Sequence, residues 1–96
     1  MIILEFGNEN GFIQELEKEF GITRVVLESF GMETIIQLVI PLAAILAPVV
    51  SPIIIKALES NQVTIKYDGV EYTGSIKNIQ KAIREVQQLK QQRDSE

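Results

Sequence analysis

The 96-residue chain has no cysteine and no histidine. That excludes disulfides, thiolate chemistry, imidazole general bases and the commonest zinc ligands. Positive charge is scarce as well: nine bases stand against thirteen acids, for a net charge of −4. An acidic chain without a basic run or an interleaved aromatic patch is a poor binder of phosphate backbones, so no nucleic-acid partner is expected. The opening MIILEFGNENG lacks a basic n-region and a cleavage site, so no secretory signal is expected. Serines are present, but there is no histidine to activate one. The glycine-rich stretch GNENG lacks phosphate-loop spacing and the Gly-Lys-Ser/Thr that goes with it. Glu15 and Glu19 of ELEKE read as the solvated face of a charged helix. No catalytic residue, metal ligand or cofactor is therefore expected, and the chain reads as a non-enzyme.

Charge of either sign is missing from one long stretch, TIIQLVIPLAAILAPVVSPIII, Thr34 to Ile55. On either side the sequence reads as a small α+β unit. MIILEF has a β-like composition, and GNENG is a dense turn signal. Asn10 is placed to cap a helix over GFIQELEKEF, whose Phe12, Ile13, Leu16 and Phe20 fall three or four apart. Gly21 sits where a left-handed C-terminal cap is wanted, with Ile22 as its apolar contact. TRVVLESF reads as a second strand, giving a compact or split β-α-β piece over residues 1–33. Further on, Asp68-Gly69 between alternating residues predicts a two-residue hairpin turn. That loop pairs Tyr67 with Val70, Lys66 with Glu71, Ile65 with Tyr72 and Thr64 with Thr73. A closing amphipathic helix follows, with Ile79, Ala82, Ile83, Val86 and Leu89 as its apolar stripe and Ser75 or Asn78 as its N-cap. Hairpin and helix, residues 61–93, belong in one domain with 1–33.

The uncharged segment admits two readings. As one helix, 22 residues reach about 33 Å, enough to cross a hydrocarbon core of about 30 Å. Against a span stand Pro41, Pro48 and Pro52, which break or kink a helix in water. There is also no tryptophan to mark an interface. The alternative is a buried helix, or two shorter pieces, covered by protein. On a helix, Gln37, Pro41, Ala44, Ala47, Pro48 and Ser51 fall along one small or weakly polar side, a device for close helix association. These six are the expected self-association residues. The expected fold class is α+β: a small β-α-β piece plus a β-hairpin and C-terminal helix, interrupted over residues 34–58 by a long apolar helix. That helix either spans a membrane or is buried in an oligomer.

The order of parts resembles the effector-associated constant component family of bacterial conflict systems. An N-terminal β-α-β stretch is followed by Gly31-Met32 opening the apolar helix, then by a hairpin around DGVEYTG and a closing helix, NIQKAIREVQQL. The resemblance implies a non-catalytic accessory part of anti-phage defence, with an assembly or adaptor role beside an effector protein. Residues and resemblance together lead to a non-enzymatic component that self-associates through Thr34–Ile55. Its expected partners are copies of itself, an effector protein and membrane lipid. Its expected location is the bacterial inner membrane or the cytoplasm. The alternatives are an oligomeric pore-forming effector and an α+β subunit of a larger complex.

Overall fold

The computed structural model of the chain describes residues 1–28 and 34–94. Gly31-Met32, the Ser29-Phe30 end of the expected second strand and the last two residues lie outside the described residues. The elements are β1 (Ile2–Phe6), α1 (Gly11–Phe20), β2 (Val25–Glu28), β3 (Thr34–Ile40), α2 (Leu42–Leu46), α3 (Pro52–Glu59), β4 (Thr64–Tyr67), β5 (Val70–Tyr72) and α4 (Ile76–Asp94). The strands form one antiparallel sheet in the order β2-β3-β1-β4-β5.

The local signals act as expected in the first third. Asn10 Oδ1 accepts from the amides of Phe12 (3.0 Å) and Ile13 (3.3 Å), satisfying two donors that the first turn of α1 leaves free. Gly21 takes the left-handed conformation, φ 62°, and Ile22 packs on the core beyond it. β1-α1-β2 is a split unit, because β3 runs antiparallel between the two strands.

The uncharged segment departs from expectation, since no long apolar helix interrupts the fold among the described residues. Its first seven residues are β3, paired on one edge with β1 (Ile2↔Ile40 through Phe6↔Ile36) and on the other with β2. The prolines give the physical reason. A proline pushes the residue before it out of the helical region, and it has no amide to continue a ladder or a helix. Pro41 closes β3 and stands at the N-cap of α2. Ala47, before Pro48, is extended (ψ 149°) and ends α2. Ser51, before Pro52, lies outside the helical region (φ −48°, ψ 129°), and Pro52 opens α3 as its first residue. Three prolines thus cut 22 residues into a strand, one helical turn and a two-turn helix. Among the described residues no helix is long and apolar enough to cross a membrane.

Helices cover one face of the sheet. Ile2, Leu4 and Phe6 of β1, Ile36, Leu38 and Ile40 of β3, and Ile65 and Tyr72 of the hairpin point into the core. They meet Ile13 and Leu16 of α1, Ile45 of α2, Ile54 and Ala57 of α3, and Ile79 and Ile83 of α4. The single turn of α2 leaves its last carbonyls without helical partners. α4 answers them: Gln80 Nε2 donates to the oxygens of Ile45 (2.8 Å) and Ala47 (3.0 Å), and Arg84 Nη2 to that of Leu46 (3.4 Å). The hairpin turn carries Asp68 and Gly69 at φ 55° and 78°, as a type I′ turn requires. Its ladder holds the expected register through Ile65↔Tyr72 and stops one pair short of Thr64 and Thr73.

In β3, core-facing and outward residues alternate, so neighbouring substitutions should separate sharply. Leu38→Ala is expected to lower the unfolding free energy by about 2–5 kcal/mol, and Val39→Ala by less than about 1.5 kcal/mol. Urea midpoints with matched slopes measure both.

Candidate functional site

The sheet's other face has no buried side chain among the described residues. Residues directly opposite in a ladder share a face, so the registers give its composition. Leu27 lies beside Ile35, Val25 beside Gln37, Gln37 beside Glu5, Val39 beside Ile3, and Ile3 beside Lys66. The apolar outward side chains sit on β2, β3 and β1, whereas β4 and β5 supply Thr64, Lys66 and Glu71.

A charged row crosses the polar part. Gln37 Nε2 donates to Glu5 Oε2 at 3.0 Å, and Lys66 Nζ lies 2.9 Å from the same oxygen and 3.4 Å from Glu71 Oε1. Partial burial raises the Glu5 pKa, but the hydrogen bonds from Gln37 and Lys66, with the Lys66 charge, outweigh it and hold the carboxyl below its ordinary value of 4.5. The hydrogen bond to Glu5 in turn raises Lys66 above its ordinary value, assisted by Glu71. The Lys66–Glu71 pair was legible from the hairpin register. Glu5 was not, because its partners come from strands far away in the sequence.

A second cluster positions β2. Arg24 Nε donates to Glu17 Oε1 at 2.9 Å, Nη2 reaches the same oxygen, and Nη1 reaches Glu9 Oε2. These contacts, Glu17 first, raise the guanidinium pKa. The fork ties the turn after β1 and the flank of α1 to the start of the edge strand.

The six expected self-association residues do not form one stripe, since their spacing acquires meaning only on a continuous helix. Gln37 faces outward on β3. Pro41 and Ala47 cap α2, Ala44 lies within it packed against the core, and Pro48 is exposed just beyond. Ser51 precedes α3 and donates to Glu19 Oε2 at 2.8 Å. The fold therefore gathers four of them around α2 and sends Gln37 to the opposite side of the sheet. Asp68 and Gly69 occupy the turn assigned to them.

A concavity of about 370 Å³ between α3 and the start of α4 is lined by Ile55, Leu58 and Ile76 with one charged group, Glu59, which gives no acid–base pair. Among the described residues no group of three or more acidic side chains could hold a metal ion. The candidate site is the open face with its β2 edge, where aliphatic side chains stand exposed. No family model, curated protein or solved structure matches the chain.

The lowered Glu5 pKa has a definite sign. Its contribution to stability is complete above the ordinary carboxyl value and is lost as pH falls through the folded-state value. Glu5→Gln should therefore show a smaller drop in urea midpoint between about pH 5 and about pH 3 than the parent protein.

Proposed function

We propose that the protein is a non-enzymatic assembly or adaptor component that associates with a second copy of itself through the apolar part of its open sheet face. The uncharged segment enters this interface through β3, with Ile35, Gln37 and Val39. The observation that carries the reading is the composition of the face. An antiparallel sheet with one solvated face ordinarily turns polar side chains outward. Here Ile3, Val25, Leu27, Ile35 and Val39 take outward positions, and Val25 and Leu27 are each 44% exposed. Stacking two such faces about a two-fold axis brings apolar part onto apolar part at a sheet spacing of about 10 Å. The row Glu5–Lys66–Glu71 of each copy then stays toward the rim, where interfaces keep their charges. The resemblance to the effector-associated constant components supports the adaptor role and supplies a bacterial setting, with an effector protein as the further partner.

Light scattering across a concentration series tests the pairing. The expected mass exceeds the single-chain 10.8 kDa and rises with concentration. Val39→Lys should return the single-chain mass with unchanged circular dichroism. A parent protein that stays at the single-chain mass at every concentration rules the pairing out.

A further inference from the structure

The two edges of the sheet are finished differently. β5 is three residues long, and its Glu71 side chain is 63% exposed. The turn beside it is bound by α4, where Lys90 Nζ lies 2.9 Å from Asp68 Oδ1 and 5.6 Å from the centre of the Tyr67 ring. Short, charged and covered edges are the usual protection against stray strand pairing. β2 is also short, at four residues, but its only charged member is the terminal Glu28. Val25 and Val26 are strong β-formers, and Val25, Val26 and Leu27 are exposed by 44%, 49% and 44%. No lysine, proline or glycine interrupts the strand, and no further strand lies beyond it among the described residues.

The charge beside this edge has one prevailing sign. Val26 is opposite Ile36, a core residue, so Val26 and the residues two away, Arg24 and Glu28, share the helix side. Arg24 is already engaged by Glu9 and Glu17. With Glu28, three carboxylates therefore stand against one guanidinium. The opposite, open side of the strand presents only Val25 and Leu27.

Within the adaptor reading above, on which this step rests, we propose that β2 is a strand-addition site for an extended segment of a partner protein in which basic and β-branched residues alternate. Backbone amides and carbonyls of the incoming strand complete the ladder, and alternate side chains select the sequence. Its β-branched set falls beside Val25 and Leu27, and its basic set falls on the side of Val26 and Glu28, where Glu9 and Glu17 offset the charge of Arg24. A second copy of β2 is the poorer occupant. It brings the same carboxylate excess to an edge that already carries it, and like charges across a strand pair are destabilising.

The probe is a capped peptide of three Lys-Val repeats, titrated into the full chain while backbone amide shifts are followed. A Glu-Val peptide of equal length is the control. The expected shifts centre on residues 25–28, with the Glu-Val peptide weaker by at least about tenfold and Lys-Val binding weakened by added salt. Glu28→Lys, an exposed change at the strand end, should weaken Lys-Val binding by about three- to tenfold. Equal binding of the two peptides, shifts confined to other strands, or a Glu28→Lys chain that binds undiminished each overturn the proposal. So does a dimer dissociated by Val26→Lys but not by Val39→Lys, which assigns the edge to a second copy. Solution mass of the chain without peptide reports separately on the open-face pairing, so the two readings fail by different measurements.

Discussion

β3 is hydrogen-bonded along both edges, and the remaining sheet is organised by that fact. On one side it holds β1, and on the other it is the sole strand partner of β2 among the described residues. Its inward side chains, Ile36, Leu38 and Ile40, are each at most 3% exposed. Burial of such side chains stabilises by about 1.5–3 kcal/mol each relative to exposure. In a fold where these residues were helical, β2 would have no ladder and β1 would keep one edge empty. Arg24 would then clamp Glu9 and Glu17 to a strand with nowhere to sit.

The same sheet divides the protein into a side that is finished and a side that is not. On the helix side, local caps, apolar packing and the Gln80 and Arg84 bonds to α2 leave the connections well answered. On the open side, polarity is concentrated in the row from Gln37 to Glu71, and the neighbouring positions are aliphatic. This division makes the open face and the β2 edge the places where association has the most to gain. Apolar surface there is still in contact with water, and among the described residues no strand lies beyond β2.

What was legible in the sequence was local. Asn10, Gly21 and the Asp68-Gly69 turn each specify a conformation within a few residues, and each does so in the fold. The α4 stripe held at Ile79 and Ile83, while Leu89 lies 61% exposed. The segment after Glu33 misled for a physical reason. A strand is recognised by alternation, but β3 has Ile35 and Val39 outward as well as Ile36, Leu38 and Ile40 inward, so the period of two disappears into a uniform aliphatic run. The prolines carried the missing information, since each marks the residue before it as extended. Pairings such as Leu4 with Leu38 and with Ile65 left no short-range trace, and the Glu5 cluster depends on them.

β1 stands at the centre of the sheet, yet both of its neighbours are translated after it. The ladder on one side waits for Ile40 and that on the other for Lys66. A nascent chain therefore holds Ile2, Leu4 and Phe6 without their final company while most of the domain is still being made. Closing such distant pairings is slow relative to local turns and helices. Until then these apolar side chains lack their sheet partners, the state in which unpaired strand edges are most open to stray association.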